Sequence, residues 1–413
     1  MAAKKKSSAG KKSAGKKGMT YDLHNHVIPE TVVEAIRRNP ERFGTRVEEK
    51  NGKRYFDSHG RMTELLPEFC DPAAKIAWMD RVGMDVAVIS VGPPIYFYWL
   101  KPDAGLEIVR RANDGIAQMV AKYPTRFRGL AHLPMQDPDA AITELERVAK
   151  EYKFKGVELA TSIEGAPLAD MKFRKVLKTI EQLGLFVFTH PYQCLANGGM
   201  DSYYLRNFVG FPLDTTMMVA HLMFSGALDD LKKLRFLLAH GGGFMPYQIG
   251  RFVHGHNVRP EPKVNNATSP RELFKRFYFD CLTHEPRSTR HLITMAGADH
   301  IVIGTDNPFD MAPKGDALQV GQVDAIPGLT AAEREWICSK TAKSCSARAK
   351  APSGKVSGIG IYSTPRGRSA QTRRRPATCL TIHGGDHHEN EIAETCIRAA
   401  CGRHRGNGLC RQR

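Results

Sequence analysis

The stretch "YDLHNH" at residues 21–26 is a short run that ends in two histidines, and it begins the pattern from which the fold can be predicted. Seven later segments repeat the same theme, an apolar and often β-branched run followed by a loop and a longer amphipathic segment. They are "DVAVISV" at 85–91, "FRGLAHL" at 127–133, "GVELAT" at 156–161, "LFVFTH" at 185–190, "RFLLAH" at 235–240, "FYFDCL" at 277–282 and "HIVIGTD" at 300–306. Strands that alternate with helices form parallel sheets, so eight such units predict an α/β fold, a (β/α)8 TIM barrel.

A doubly wound open sheet is the alternative fold for the same alternation of strands and helices. It receives less support, because no GxGxxG follows the first strand and "GGG" at 241–243 lacks the rest of that motif. Residues 31–72 do not fit the repeat, since they are polar and turn-rich. As the first connection from strand to helix, they are predicted to form an insertion over the C-terminal mouth of the barrel, where long loops serve the active site.

The positive charge of the chain is concentrated at its two ends. The formal net charge is +17, yet residues 1–18 carry seven lysines and no acid, and residues 346–413 carry thirteen Lys or Arg against four acids. The region between them is nearly neutral and gives no electrostatic argument for binding DNA or RNA. We therefore expect no nucleic-acid partner for this region, and any such binding would belong to the ends.

Three segments are predicted from composition. Residues 1–18 form a disordered Lys-rich arm, residues 19–345 form the barrel, and residues 346–413 form a basic tail of low order. The tail is rich in Arg, Gly, Ser and Cys and has no helical or strand period. Our hypothesis is that it is a frameshifted reading of the gene, and a basic regulatory or RNA-binding tail is the alternative.

The sequence predicts a cytoplasmic protein with no membrane partner. No run approaches the roughly 18 to 20 apolar residues that span a bilayer, and the leader lacks the apolar stretch of a secretory signal. Cysteines without paired spacing are typical of reduced thiols in a cytoplasm. Those of the central region are Cys70, Cys194, Cys281, Cys338 and Cys345.

Ionisable side chains recur at or just beyond the C-terminal ends of the predicted strands. They are His24, His26, His190, His240 and Asp306. These ends converge on one mouth in a closed barrel, and two residues at i and i+2 of a strand share a face. Three imidazoles and a carboxylate suit Zn²⁺ with an open position for water, while Mn²⁺ is possible. We predict one zinc ion rather than two, held by His24, His26, His190 and Asp306. His240 is the candidate general base for a water at the metal.

Four motifs in this order resemble the amidohydrolase-related metal-dependent decarboxylases. They are "DLHNHVIPE", "FTHPYQ", "LAHGGG" and "GTDNPF", and the likeness runs from about residue 20 to 312. The resemblance implies the barrel, the same four ligands and the same base. It also implies non-oxidative decarboxylation of an unsaturated or aromatic acid, such as an aminocarboxymuconate semialdehyde, without an organic cofactor. A metal-dependent hydrolase of an ester, lactone or amide is the alternative, because the same site could attack a carbonyl.

The resemblance also implies how the substrate is held. Members of this family bind substrate carboxylates with two arginines, one from the loop after strand one and one reaching across a dimer interface. Arg251, eleven positions after His240, matches the second and predicts a homodimer in which it reaches the neighbouring site. Phe56 and Arg61 lie where the first is expected, and Tyr192 stands where the related decarboxylase has tryptophan. We therefore predict these four residues as substrate contacts, since a guanidinium binds a carboxylate through two hydrogen bonds.

Overall fold

The computed structural model describes residues 18–58, 60–194, 198–312 and 319–346. Of the predicted arm at 1–18 and the predicted tail at 346–413, only residues 18 and 346 are described. The frameshift hypothesis concerns the tail and therefore also lies outside the described residues. No helix in the described part of the chain is long and apolar enough to cross a membrane.

The described strands and helices alternate through most of the chain. The strands are β1 (Tyr21–Val27), β2 (Thr45–Lys50), β3 (Lys53–Ser58), β4 (Arg61–Glu64), β5 (Val86–Val91), β6 (Phe127–Gly129), β7 (Gly156–Ala160), β8 (Ser162–Ile163), β9 (Ala166–Pro167), β10 (Phe186–His190), β11 (Arg235–Leu238), β12 (Phe277–Asp280) and β13 (Ile301–Val302). The helices are α1 (Glu30–Arg38), α2 (Pro40–Phe43), α3 (Pro67–Cys70), α4 (Pro72–Val82), α5 (Pro102–Lys122), α6 (Pro138–Glu151), α7 (Arg174–Gln182), α8 (Phe211–Phe224), α9 (Ala227–Asp230), α10 (Met245–Val258), α11 (Pro270–Phe274), α12 (Pro286–Ala296), α13 (Gln319–Asp324), α14 (Ala331–Glu335) and α15 (Thr341–Ser346).

Eight parallel strands form a closed barrel in two arcs. One arc has the order β1, β5, β6, and the other has the order β7, β10, β11, β12, β13. The arcs join where Ala131 pairs with Val157 and where Asp22 pairs with Ile303, both in parallel orientation. Across the second junction, the Leu23 N–H donates to the carbonyl oxygen of Ile303 at 2.9 Å. The predicted (β/α)8 barrel and its eight strands are therefore confirmed.

The barrel strands are buried on both faces, which explains their nearly continuous apolar sequence. All six residues of β5 are buried, as are all five of β7 and β10. Helices cover the outside of a parallel sheet while side chains fill its interior, so such strands read as apolar runs. The polar residues that follow these runs therefore stand out, because they lie where the strands leave the core.

The predicted insertion contains a small antiparallel sheet made of β2, β3 and β4, which we call the lid sheet. Phe56 on its central strand pairs with Val47 on one side and Thr63 on the other. The Phe56 side chain is only 1% exposed, so it anchors the lid sheet in the core. Strand β4 of the lid sheet borders the cavity above the barrel mouth.

His132 follows β6 and is a buried structural residue. Its backbone N–H donates to Oδ1 of Asn113 at 2.9 Å, and its Nε2 lies 3.0 Å from the carbonyl oxygen of Tyr96. The imidazole stacks on the Tyr96 ring with the centroids 5.1 Å apart. Burial lowers the pKa of His132 to about 4, so the ring is neutral in the folded protein at neutral pH.

We expect this histidine to make the protein less stable as the pH falls from 6.5 towards 4. The unfolded chain protonates His132 in this range and the folded chain does not, so acid favours unfolding. The loss should be on the order of 2 kcal/mol between pH 7.5 and pH 5.0. Chemical denaturation of His132→Gln should show a smaller pH-dependent change, whereas His221→Gln, at an exposed position on α8, should match the wild type. An equal change in all three proteins would contradict this assignment.

Candidate metal centre

The five ionisable residues predicted from the strand ends lie together at the C-terminal mouth of the barrel. His24 and His26 belong to β1, His190 ends β10, His240 follows β11, and Asp306 follows β13. The side chains of His24 and His26 point to the same side of β1, and their Nε2 atoms are 3.0 Å apart. Closure of the barrel brings the other three beside them.

Asp306 is at the centre of the group. Its Oδ1 lies 3.2 Å from Nε2 of His24 and 3.1 Å from Nε2 of His26. The same oxygen is 3.9 Å from Nε2 of His190, and Oδ2 is 3.7 Å from Nε2 of His240. Ligand atoms of His24, His190, His240 and Asp306 all lie within 4.8 Å of one another. Proximity alone therefore does not separate the predicted ligands from the predicted base.

The hydrogen bonds of three histidines show which nitrogen faces the centre. In each ring, Nδ1 lies within hydrogen-bond distance of an oxygen that can only accept, so in the neutral ring Nδ1 carries the proton and Nε2 presents the lone pair. The pairs are His24 with Oδ2 of Asp280 at 2.7 Å, His26 with the carbonyl of Val91 at 2.9 Å, and His190 with the carbonyl of Pro191 at 2.7 Å. Anchoring one ring nitrogen in this way is typical of histidines that bind a metal through the other.

The buried polar atoms of the centre are suited to a divalent cation. Among the residues that the structure describes, Nε2 of His190 and Oδ1 of Asp306 are buried without a hydrogen-bond partner. Burial lowers the pKa of His24, but the charge of Asp306 and the hydrogen bond to Asp280 outweigh this and raise it to about 10. Burial raises the pKa of Asp306, yet the charge of His24 holds it well below its usual range. The centre therefore favours positive charge, which a metal ion could supply.

His240 differs from the other three histidines in three respects. Its side chain is 18% exposed and faces the cavity, and its Nδ1 has no hydrogen-bond partner within the described ranges. Its backbone is also in the left-handed region, with φ of 54°, a conformation that costs about 1–3 kcal/mol for a residue other than glycine. Within the described residues, no hydrogen bond at Nδ1 fixes the tautomer of His240, which suits a group that exchanges protons.

Asp280 at the end of β12 is a functional residue that the sequence analysis missed. Its carboxylate accepts hydrogen bonds from Nδ1 of His24 at 2.7 Å and from the backbone N–H groups of His240 at 2.9 Å and Gly241 at 2.8 Å. Burial raises the pKa of Asp280, but the hydrogen bond from His24 and the charges of His24 and His240 together outweigh burial and keep the pKa below its usual value. The available signal was its place at the end of an apolar run, "FYFDCL", which is the pattern that identified Asp306.

We expect Asp280→Asn to lower the affinity for a divalent metal ion by about 10- to 100-fold, because an uncharged amide orients His24 less strongly. Competition with a chromophoric chelator would measure the dissociation constant. Asp299→Asn is the matched control, because Asp299 lies just before β13 and its ion pair within the described residues is with His300. An unchanged affinity in Asp280→Asn would contradict the role of this carboxylate.

Lys75 on α4 lies behind the metal centre and was also missed. It is fully buried, and its Nζ donates to Oδ1 of Asn25 at 2.6 Å and to Oδ1 of Asn307 at 2.9 Å. Asn25 stands between the two histidines of β1, and Asn307 follows Asp306. Burial lowers the pKa of Lys75 to about 7. Lys75 thus links the two segments that carry most of the predicted ligands.

A cavity of about 1250 Å³ opens above the metal centre, and three of the four predicted substrate contacts line it. These are Phe56, Arg61 and Tyr192. The Tyr192 ring stacks on Trp99 with the centroids 6.1 Å apart and the planes 18° from parallel. Arg251 is exposed on α10 and does not line this cavity, and in the described part of the chain it makes no ion pair. The structure therefore leaves Arg251 outside the site of its own chain.

Comparisons with known proteins identify sequences related to this chain. A family model described as "Amidohydrolase" matches residues 21–344. The 2-amino-3-carboxymuconate-6-semialdehyde decarboxylase of Dictyostelium discoideum is 31% identical over 331 residues, which cover 77% of this chain and 89% of the relative.

Solved structures show the same fold at lower identity. The Metarhizium anisopliae IDCase in apo form matches with a TM-score of 0.70 at 22% identity, covering 79% of this chain and 97% of that one. A dihydroxybenzoic acid decarboxylase from Polaromonas sp., with bound manganese and an inhibitor, 2-nitroresorcinol, matches with a TM-score of 0.63 at 23% identity, covering 80% and 97%.

Proposed function

The chain belongs to the amidohydrolase family, and from this premise we propose that it catalyses zinc-dependent, non-oxidative decarboxylation of an unsaturated or aromatic carboxylic acid. The observation that carries the proposal is the convergence of three imidazole Nε2 atoms on one oxygen of Asp306. The decarboxylase relative supports the reaction class. The protein is thus a metal-dependent carboxy-lyase.

His24, His26, His190 and Asp306 would hold one zinc ion. Three neutral nitrogens and one carboxylate suit zinc, whereas manganese favours more oxygen ligands. Manganese stays an alternative, because a solved structural neighbour binds it. When bound, the metal supplies a Lewis acid that polarises an oxygen and stabilises developing negative charge. Elemental analysis should find about one ion per chain, and its identity decides between the two metals.

His240 would carry the proton that is added to the substrate carbon in this reaction. In a decarboxylation the bond between the carboxylate and its neighbouring carbon breaks, the electron pair stays on that carbon, a proton is added there and CO2 leaves. His240 faces the cavity and its Nδ1 has no partner among the described residues. It can therefore take up a proton from solvent water as a general base and donate that proton to the substrate carbon as a general acid.

The cavity walls favour a planar, conjugated acid. Phe56, Trp99 and Tyr192 line the cavity with aromatic surface, which packs well against a flat substrate. Arg61, on the lid sheet, could hold a carboxylate through two hydrogen bonds. These contacts would place the reacting carbon between His240 and the metal centre.

We also propose that the active form is a homodimer in which Arg251 reaches the neighbouring site. Arg251 is exposed on α10 and makes no ion pair within the described ranges. This supports a role outside its own chain. Light scattering should then give twice the mass of one chain, and Arg251→Ala should raise KM for the acid. A monomer with full activity would contradict this arrangement.

A screen for CO2 release tests the proposed reaction. Carboxymuconate semialdehydes and hydroxybenzoates would be incubated with the zinc-loaded protein, together with a panel of esters, lactones and amides. We expect one CO2 released for each acid molecule consumed, and no turnover after the metal is removed with a chelator. Hydrolysis products without CO2 would overturn the decarboxylase proposal in favour of a metal-dependent hydrolase.

A further inference from the structure

Lys75 on α4 is a buried charged residue that the proposed reaction does not use. It is 0% exposed and does not line the cavity above the metal centre, so it cannot contact a substrate there. A lysine is almost never fully buried unless it is paired. The partners of Lys75 among the described residues are two amide oxygens, Oδ1 of Asn25 at 2.6 Å and Oδ1 of Asn307 at 2.9 Å. These two contacts therefore have to offset the cost of burying the amino group.

The two asparagines are neighbours in sequence of three predicted ligands. Asn25 lies between His24 and His26 on β1, and Asn307 directly follows Asp306. Successive side chains of a strand point to opposite faces, so the amide of Asn25 extends away from the side on which the two imidazoles meet. A single amino group thus holds, from behind, the first and the last strand segments that supply ligands.

The backbone that carries these ligands is irregular. The pairing of β1 with β5 shifts its register between Asp22 and Asn25, which is where His24 lies. Asp306 has a left-handed backbone, with φ of 56°. A residue other than glycine persists in this conformation where the surrounding structure fixes it. The ligand segments therefore depend on contacts beyond regular strand pairing.

Hydrogen bonds of buried side chains supply such contacts between β1 and the segment after β13. The Asn25 amide is held at both ends, because its Oδ1 accepts from Lys75 while its Nδ2 donates to Oδ2 of Asp22 at 2.7 Å. The same oxygen of Asp22 accepts from the Thr305 hydroxyl at 2.7 Å. Lys75 then connects this group to Asn307 directly.

The barrel has separate backbone hydrogen bonds at this junction. The His26 N–H donates to the carbonyl oxygen of Asn307 at 2.9 Å, and the Asp306 N–H donates to that of His24 at 2.9 Å. These bonds bring the two segments together without Lys75. The contribution left to the side-chain contacts is the finer placement of the ligands, which matters because ligand distances at a metal are defined to about 0.2 Å.

We propose that Lys75 is a positioning residue of the metal centre, which fixes the spacing between the histidines of β1 and Asp306 by donating to Asn25 and Asn307 at once. This inference rests on the proposed function for the presence of a metal ion. It does not depend on the charge of Lys75, because an amine and an ammonium group both carry the two N–H donors that the contacts need.

Binding of the metal alone tests the inference without turnover. Metal-free wild type and Lys75→Met would be titrated with Zn²⁺ against a chromophoric chelator. Methionine keeps the unbranched shape of lysine but donates no hydrogen bond. The variant should bind Zn²⁺ about tenfold more weakly, as is usual when a group that supports the ligands is lost. The visible absorption spectrum of bound Co²⁺ should also change, because it depends on the arrangement of the ligands.

Val82→Ala is the matched control for a general loss of stability. Val82 lies on the same helix and is 4% exposed, so its truncation destabilises the core without removing a hydrogen bond to either asparagine. Urea unfolding of the metal-free proteins should show that both variants fold and how much each is destabilised. Val82→Ala should keep the Zn²⁺ affinity within about twofold and the Co²⁺ spectrum of the wild type.

An unchanged Zn²⁺ affinity in Lys75→Met, or an equal loss of affinity in Val82→Ala, would overturn the inference, because Lys75 would then only stabilise the fold. If Lys75→Met does not fold, Lys75→Gln decides. Its amide can donate but ends one bond short of Nζ, so the affinity should still fall about threefold or more. A wild type that binds no metal would refute the metal centre together with this inference. Metal binding without CO2 release in the screen above would count against the proposed reaction alone.

Discussion

Asp306→Ala is expected to abolish metal binding and to lower turnover by about a thousandfold or more, since it removes the anion around which the site is built. Oδ1 of Asp306 lies 3.1–3.2 Å from Nε2 of His24 and His26. Without this carboxylate, three neutral nitrogens would have to bind a dication in a buried site with no charged ligand, and the charge of Asp280 would act only through His24. Metal content by elemental analysis and CO2 release are the two measurements.

Asp299→Ala is the matched control for this experiment. Asp299 precedes β13 and Asp306 follows it, so the two aspartates flank the same strand at opposite ends of the barrel. The control should keep both the metal and the activity. Thermal melting of metal-free proteins should show that Asp306→Ala still folds. A variant of Asp306 that retains one metal per chain and full turnover would contradict its role as a ligand.

His240→Ala is expected to keep the metal and to lower kcat by about 10²- to 10⁴-fold, the usual contribution of general acid–base catalysis. We assign His240 as the base rather than as a ligand because its hydrogen bonding differs from that of the other three histidines. His24, His26 and His190 have Nδ1 anchored on an oxygen, whereas Nδ1 of His240 has no partner in the described part of the chain. Metal content and the kcat and KM for CO2 release should therefore be measured on the same preparation.

His254→Ala serves as the control for His240→Ala, because His254 is exposed on α10. It should resemble the wild type in both measurements. The other possible outcome is loss of the metal in His240→Ala. It is physically reasonable because ligand atoms of His240, His24, His190 and Asp306 are all close enough to share one ion. If His240→Ala loses the metal together with its activity, His240 is a ligand rather than the base.

The arrangement of the barrel could be predicted because it follows from short-range patterns. An apolar run of strand length and a helical period identify each unit locally. The parallel topology then requires that the ends of all eight strands meet at one mouth. His24 and His26 could be paired from the two-residue period of a strand, and His190, His240 and Asp306 could be added because each follows an apolar run.

The residues that the sequence analysis missed depend on contacts between distant parts of the chain. Asp280 contacts His24 across 256 positions, and Lys75 contacts Asn307 across 232. No local period encodes such a contact, because the partner is chosen by how neighbouring strands and helices pack. The lid sheet was likewise anticipated only as an insertion, since its strands are partly exposed and lack a continuous apolar run.

The type of fold and the side chains that gather at the barrel mouth could thus be predicted from the sequence, because strand period and parallel topology are properties of short segments. The nitrogen of each histidine that faces the centre, and the hydrogen bond by which Asp280 orients His24, are visible only in the folded chain. The physical reason is that hydrogen-bond direction, burial and charge pairing depend on the atoms that surround a side chain. Those atoms come from many segments at once, and only the packed barrel brings them together.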